Sequence, residues 1–403
     1  MRPPLLFLAH RLPYPPNKGD KIRSFHLLQR LARDYRIFLG AFIDVAEDAR
    51  HAGALRELCA EVMTLRLRPR WARLASLRGL LEGQPLTVPY YRRRAFAEWV
   101  DRTIAEQSIQ RAVVFSSAVA PYLLGSRYAG LRRVIDFVDV DSDKWAQYAE
   151  TTGRVARWVY RREAVRLLGL ERLIASEFDG SVFVSAAEAA LFRRLAPESA
   201  DKVSFASNGV DAVYFDPDLP LPSPYADGER ALVFTGAMDY WPNVDAVCWF
   251  AEQILPRVLS AAPDARFYAV GARPAPAVQR LARLPGVRVT GQVADVRPYL
   301  RHAAAVVAPL RIARGIQNKV LEGMAMARPT VVTPAALEGI GAVAGEDLLV
   351  ASDARGFAER VLEAISGTGS AELGLAARRR VLADFEWDRN LTGFHDLLEG
   401  GRN

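Results

Sequence analysis

The sequence predicts an α/β protein made of two parallel-sheet halves, and three observations carry that reading. Short apolar runs recur along the chain and end on a glycine, a serine or an aspartate. Stretches with apolar residues at helical spacing separate them. The pattern lapses over residues 213–230, where proline and acid collect, and then restarts. Strands alternating with helices indicate parallel sheets. A length of 403 residues suits two domains of about 200 residues each. The expected division is 1–212 for the first domain, 213–230 for a linker and 231–384 for the second.

Taken in order, Leu5 to Ala9 read as the first strand, followed by the proline-rich loop Arg11 to Gly19. A helix is expected from about Lys21, because Ile22, Phe25, Leu28 and Leu31 share one face. Ile37 to Phe42 make the next strand. Residues 46–60 look helical, and Val62 to Leu67 look extended. Val113 to Phe115, Val134 to Val138 and Val182 to Val184 are strands ending at Ser116, Asp139 and Ser185. Val203 and Phe205 precede Ser207-Asn208-Gly209-Val210-Asp211, in which Asn-Gly makes a tight turn. After the linker, Ala231 to Phe234, Phe267 to Val270, Val287 to Thr290, Val306 to Ala308 and Thr330 to Val332 are strands. Residues 243–261, 318–327 and 354–366 are helical, and Leu373 to Leu398 form a last helical stretch.

Half of the residues are hydrophobic and 25% are charged, so both halves can bury a core. A net charge of +7 is compatible with nucleic acid, an anionic membrane or phosphorylated substrates. Arginine far outnumbers lysine, so the charge is equally a matter of composition. Cys59 and Cys248 lie far apart without metal spacing and read as packed thiols in a reducing compartment. The opening apolar run stops at His10 and Arg11, too short for a signal peptide. No run approaches the length needed to span a bilayer. The expected location is the cytoplasm, with peripheral contact at the inner face of the cell membrane as an option. That option comes from residues 66–94. Arg66, Arg68, Arg70, Arg73, Arg78, Arg92, Arg93 and Arg94 stand there against one acid, Glu82, interleaved with Trp71, Leu74, Leu77, Leu80 and Leu81. A basic amphipathic segment with an aromatic residue can lie on an anionic bilayer. A solvated helix held down by its leucines is the plainer alternative.

In open parallel sheets, ligands sit at the carboxyl ends of strands. The loops to inspect are therefore 11–21, 116–118, 136–144, 235–243, 271–273 and 311–319. Gly19, Lys21 and Gly236 supply small residues and a cation that suit close approach to a phosphate. Asp139, Asp141, Asp143 and Glu150 have EF-hand spacing, but Lys144 stands where such a loop needs glycine. Asp139, at a strand end, reads as an acceptor-side carboxylate that orients or deprotonates an attacking hydroxyl. A structural loop of capping aspartates is the alternative. His10 ends the first strand, from where it can reach the cleft; a satisfied loop histidine is the commoner alternative. No Cys/His cluster supports zinc, and no metal is expected. Walker A and Gly-x-Ser-x-Gly signatures are absent.

The most informative stretch is 306–334, VVAPLRIARGIQNKVLEGMAMARPTVVTP. It reads as a buried strand, a basic glycine-bearing loop, a helix and a second buried strand. A helix entered from such a loop offers unpaired N–H groups and a positive dipole end to an anion. Glu322 lies three residues after Lys319, so both share one helix face. A carboxylate there suits a ribose diol, while a lysine and loop amides suit a diphosphate.

This segment resembles the donor-binding motif of family 4 glycosyltransferases, enzymes of the two-Rossmann GT-B fold. In that family a glutamate, a seven-residue gap and a second glutamate precede a Met-Ala-x-x-x-Pro-x-Val run. The second glutamate maps onto Glu322 and its ribose-contacting role. The first would fall at position 314, which is Arg314, and this departure puts sugar recognition in doubt. Gly315, Lys319 and Glu322 fit a subgroup with glycine and then Lys-x-x-Glu. The Gly-Ile-Gln-Asn-Lys loop and the opening segment are similar to the sugar transferases of exosortase/PEP-CTERM exopolysaccharide loci. The turn Asn208 to Asp211 is similar to one that ends the N-terminal domain in family 4.

The resemblance implies two Rossmann-like domains facing across a cleft. The C-terminal one would hold a nucleoside diphosphate sugar, through Gly236, Arg314, Gly315, Ile316, Gln317, Asn318, Lys319 and Glu322. The N-terminal one would hold a sugar or lipid-linked acceptor near Gly19, Lys21 and Asp139. Arg311 and Lys319 would stabilise the leaving group, with no metal or other cofactor. The resemblance further implies retention of anomeric configuration and the return of residues 385–403 onto the first domain. Two rivals remain: a sugar-nucleotide epimerase of the same fold, and a basic nucleic-acid-binding protein. The second lacks aromatic-basic interleaving on a sheet and any recognition module, so no nucleic-acid partner is expected.

Overall fold

A computed structural model describes the chain apart from Met1, Asn17, Lys18, Leu77, Thr151, Arg314, Thr368, Arg402 and Asn403. Its contacts divide it into two units, residues 1–207 with 391–403, and residues 208–390.

The first unit opens with β1 (Pro4–Ala9), α1 (Gly19–Asp34), β2 (Arg36–Ile43) and β3 (Glu61–Arg66). Four helices follow: α2 (Pro69–Ser76), α3 (Arg78–Leu81), α4 (Thr87–Tyr91) and α5 (Arg94–Glu106). Then come β4 (Arg111–Phe115), β5 (Arg132–Val138), α6 (Asp141–Glu150), α7 (Arg154–Glu177), β6 (Gly180–Phe183), α8 (Ala186–Leu195) and β7 (Val203–Phe205). The strands form one parallel sheet in the order β3-β2-β1-β4-β5-β6-β7. Leu5 to Ala9 are fully buried, because helices cover both faces of the central strand. Two buried ion pairs tie α1 down. Arg23 donates to Asp136 at 2.7 Å and to the Ala206 carbonyl at 2.7 Å, and Lys21 donates to Asp48 at 2.5 Å.

The second unit begins with β8 (Arg230–Thr235), α9 (Trp241–Trp249), α10 (Leu255–Ala261), β9 (Ala265–Val270), α11 (Pro276–Leu281) and β10 (Val287–Gly291). It continues with α12 (Arg297–Arg301), β11 (Ala305–Ala308), α13 (Asn318–Ala325), β12 (Thr330–Val332), α14 (Pro334–Leu337) and β13 (Leu349–Val350). It ends with α15 (Ala354–Ile365), α16 (Ser370–Asp384) and α17 (Trp387–Asn390). The sheet order is β10-β9-β8-β11-β12-β13, again parallel. The last helix, α18 (Thr392–Glu399), belongs to the first unit. Glu399 there accepts from Tyr35 at 2.6 Å and from Arg111 at 2.7 Å, and Arg132 donates to the Leu397 carbonyl at 2.5 Å.

Several elements differ from the sequence reading. The first helix starts at Gly19, before Lys21. Residues 46–60 form no α-helix but two short 3-10 turns, Ala46–His51 and Ala54–Glu57, on either side of Gly53. Cys59 therefore lies off any helix; it is buried, and burial pushes its thiol up to about 12. The helix expected over 243–261 widens to i→i+5 bonding at Phe250–Ile254 before Pro256. The expected linker packs as part of the second unit. Tyr225 donates to the Tyr299 carbonyl at 2.5 Å, and Arg378 donates to the Phe215 carbonyl at 3.1 Å. The unit boundary thus falls at 207/208 and the return at 391, not at 212 and 385. The stretch 373–398 is broken into three helices around Phe385 and Leu391. Gly209 is not left-handed; a Cβ there would lie 2.7 Å from Trp387, so packing selects glycine. No helix among the described residues is long and apolar enough to cross a membrane.

Candidate active site

Strand order reverses between β1 and β4 in the first sheet, and between β8 and β11 in the second. Outside the carboxyl ends of strands at such a reversal the flanking loops part and leave a crevice. The segment singled out by the sequence leads from β11 into α13, so it borders the second of these reversals.

β8 ends at Thr235 and turns sharply at Gly236, whose N–H donates to the Val270 carbonyl at 3.0 Å. That amide is therefore spent inside the fold, and the role of Gly236 is steric. A Cβ there would lie 2.7 Å from Asn243 Nδ2 and 3.5 Å from Lys319 Cε. Asn243 is buried in the first turn of α9. Its Nδ2 donates to the Ala237 carbonyl at 2.9 Å, and its Oδ1 accepts from Lys319 Nζ at 3.1 Å. Lys319 Nζ also lies 5.2 Å from the centre of the Phe234 ring, a cation–π distance. One turn further along α13, Glu322 has no hydrogen bond and no ion pair within 4 Å among the described residues.

Burial lowers the Lys319 ammonium to about 8, with Glu322 opposing that fall. It raises Glu322 to about 7, with Lys319 opposing the rise. Desolvation of the charged forms outweighs their mutual attraction. At neutral pH the site thus holds a charged lysine bonded to Asn243 and a part-protonated Glu322 carboxyl with no hydrogen-bond partner among the described residues. An ammonium in this setting can meet an anion, and a carboxyl in this setting can accept from hydroxyls.

The entry to α13 adds donors. Gln317 stands at the helix start without a side-chain cap, and the Asn318 and Lys319 N–H groups have no partner among the described residues. The Asn318 side chain accepts from Asn208 at 3.1 Å, so it braces the turn instead of facing a ligand. Gly315 takes a left-handed φ of 60°, and the Gln317 side chain donates back to its carbonyl at 3.2 Å. Ile316 is buried and anchors the loop by packing. Arg314, the departure from the family pattern, lies outside the described residues.

Four further expected residues stand as follows. Arg311 is half-exposed and held by the Asp245 carboxylate, with Nε 3.0 Å from Oδ2. It also leans over Trp249, 5.4 Å from the ring centre. Its charge is thus answered on the protein. Lys21 is buried against Asp48 and cannot present its ammonium to a phosphate. Gly19 is the exposed first residue of α1, with no atoms within 4 Å of a built Cβ. Asp139 follows Val138, a β-branched residue at φ 70°, and lies 3.4 Å from the Lys144 ammonium. The carboxylate stands at the end of β5, one strand beyond the reversal.

Sequence reasoning named His10 and the 11–21 loop but missed how their groups pair at the first reversal. His10 stacks on Phe115, the last residue of β4, with centroids 6.0 Å apart. Its Nε2 lies 3.3 Å from Asp20, and Arg11 bridges Asp20 at 2.7 Å and Asp44 at 2.8 Å. Burial alone would raise the Asp20 carboxyl, but His10 and Arg11 hold it well below the usual carboxylate range. It also missed Asn243; a polar residue in the first turn after a glycine-ended strand was the available signal. Among the described residues no group of three or more His, Cys, Asp or Glu side chains is placed to hold a metal ion.

The family described as Glycosyl transferases group 1 matches residues 229–367, the stretch that holds both β8 and α13. No curated protein sequence matches the chain. Several solved structures do. HepE from Anabaena in complex with UDP is 15% identical with a TM-score of 0.68, covering 99% of this chain and 100% of that one. Sucrose-phosphate synthase from Thermosynechococcus elongatus is 17% identical with a TM-score of 0.69, covering 99% of each. WaaG, a glycosyltransferase involved in lipopolysaccharide biosynthesis, is 14% identical with a TM-score of 0.66, covering 98% and 100%. At such identities the likeness is one of fold, and the fold is GT-B. Residues 229–367 thus match the glycosyl transferases group 1 family, and the chain has the GT-B fold of two Rossmann-like parallel sheets.

Proposed function

We propose that the chain transfers a sugar from a nucleoside diphosphate sugar to an acceptor hydroxyl. The observation that carries this reading is the pairing of Lys319 with Asn243 beside Gly236, with the Glu322 carboxyl, unpartnered among the described residues, one turn away. Lys319 and the α13 amides meet the diphosphate, and Glu322 accepts from the ribose hydroxyls. The leaving diphosphate gains negative charge as the glycosidic bond breaks, and donors already aimed at it lower the barrier. In this reading no metal ion takes part and configuration is retained. HepE structures hold UDP and UDP-glucose, so a uridine donor is the first to test.

The resemblance to exosortase-associated transferases supports a place in exopolysaccharide synthesis, with a lipid-linked acceptor at the inner leaflet. The basic 66–94 segment supports contact with an anionic membrane there. Of its apolar residues, Trp71 is 68% and Leu74 58% exposed on α2.

Calorimetry with UDP and GDP tests the donor site. Glu322→Ala is expected to weaken nucleotide binding about tenfold or more, on the order of 1.4 kcal/mol, with an unchanged melting temperature. Equal binding by both proteins would remove the assignment. A thermal-shift screen of nucleotide sugars then identifies the base and the sugar.

A further inference from the structure

Helix α7 presents a solvent face that neither glycosyl transfer nor the 66–94 segment accounts for. Trp158 is 63%, Val165 69% and Leu173 47% exposed. The spacing of seven and eight residues keeps them on one stripe about 22 Å long. Arg154, Arg157, Arg161, Arg166 and Arg172 are exposed alongside them. The acids of α7 are withdrawn from this stripe. Glu163 is buried and accepts from the Leu86 N–H at 2.7 Å, and Glu171 is buried and accepts from Ser142 at 2.5 Å. The third, Glu177, stands at the far end of the helix, 3.4 Å from Arg133.

The stripe continues onto its neighbours. Arg162 donates to the Gly79 carbonyl of α3 at 2.7 Å and to the Gln84 carbonyl of the following turn at 3.3 Å, which fixes both against α7. A groove of about 420 Å³ runs between that turn and α7, lined by Pro85, Val88, Leu124, Val165, Leu170 and Leu173. Beyond it lie the exposed Trp71, Leu74 and Leu80.

We propose that α7 is the principal membrane-docking element of this protein, seating on a bilayer that carries anionic headgroups. The inference rests on the reading of 66–94 as a membrane contact and moves its centre to α7. Charge complementarity argues for this occupant. Arg172, beside Leu173, is answered by Glu198 at 2.6 Å, but Arg154, Arg157, Arg161 and Arg166 border the Trp158–Val165 part of the stripe with no exposed acid of α7 between them, so phosphate headgroups meet cations there. Tryptophan and branched aliphatic side chains at such exposure are unfavourable in water and favourable at the acyl boundary. Arginine stems lie on apolar surface while their heads reach the headgroups.

The test is co-sedimentation of the full chain with vesicles of phosphatidylcholine, alone or with 30% phosphatidylglycerol, about tenfold tighter binding being expected with the anionic lipid. The double variant Trp158→Ser, Val165→Ser should cut binding to anionic vesicles at least tenfold with an unchanged melting temperature. Arg154→Glu with Arg161→Glu, which leaves the apolar residues in place, should do the same. UDP binding by calorimetry should be unaltered in all of them. Absence of wild-type binding to anionic vesicles overturns the proposal, as does equal binding to neutral ones. Retained binding by both α7 variants also overturns it; if Trp71→Ser, Leu74→Ser then abolishes binding, the 66–94 reading survives and this one does not. A wild type that binds vesicles but no nucleotide defeats the donor-site reading and leaves this one standing.

Discussion

The Lys319 ammonium donates to the Asn243 side chain over 3.1 Å, joining the first turn of α13 to the first turn of α9. These helices follow β11 and β8, the strands between which the sheet order reverses. The contact therefore gathers two helix starts at one point, with Gly236 as its floor.

The lowered Lys319 ammonium makes nucleotide affinity depend on pH. In the empty protein it titrates near 8, because burial disfavours its charged form. A bound diphosphate favours that form, so binding takes up a proton above this pH. Affinity for UDP should be level from pH 7 to 7.5 and fall about tenfold per unit above pH 8.5. Calorimetry in buffers of different ionisation heat measures both the affinity and the proton uptake. Lys319→Arg should shift the fall upward by more than a unit.

Gly236→Ala tests the floor of the contact. Its methyl must displace Asn243, which is buried and cannot swing away. Overpacking of this kind costs about 1–3 kcal/mol, readable as a lower urea midpoint. Nucleotide binding should fall with it, since Lys319 loses its support. A variant with wild-type stability and binding would show that the loop adapts freely.

Arg311 and Lys319 should separate on mutation, although the sequence put them in the same role. Arg311 is half-exposed and answered by Asp245, so Arg311→Ala should cost under about 1 kcal/mol of stability. Its effect on UDP affinity should be under about threefold, a fraction of 1.4 kcal/mol. Lys319→Ala should weaken UDP at least tenfold more than that. Equal losses would mean that Arg311 leaves Asp245 when a nucleotide binds.

Glu171 gives a stability signature in the first unit. Burial raises its carboxyl to about 8, against the bonds from Ser142. The folded state therefore binds a proton that the unfolded chain releases near 4.5. Its contribution is fully present below pH 4.5 and is lost as pH rises through 8. Unfolding free energy measured from pH 5 to 9 should decline in the wild type, by an amount on the order of 3 kcal/mol for this group. Glu171→Gln should flatten that part of the decline.

The longer strands of both sheets were legible because buried parallel strands are continuous apolar runs, as in Leu5 to Ala9 or Val306 to Ala308, whereas the two-residue edge strand β13 was not. The helix bearing Lys319 and Glu322 was legible for a similar reason, since glycine, basic loop and amphipathic turn follow one another directly. What could not be read was which cations are already answered. Lys21, Arg23 and Arg311 look alike in sequence, yet their partners Asp48, Asp136 and Asp245 are fixed only by tertiary contact. The same holds for Asn243, whose meaning comes from a residue 76 positions away. The helix expected over 46–60 failed because its apolar spacing was that of a covered 3-10 turn.

The return of α18 has a consequence for how the protein is made. Tyr35 and Glu399 are bonded across 364 positions of chain. The first sheet leaves the ribosome well before the helix whose Leu397 covers Gly180 and accepts from the Arg132 side chain of β5. Until then an apolar floor stays open, and closing so distant a loop is slow. Nascent chains should recruit chaperones at that floor. A shortened gene ending at residue 207 should yield insoluble product, and splicing residues 391–403 directly onto it should restore solubility.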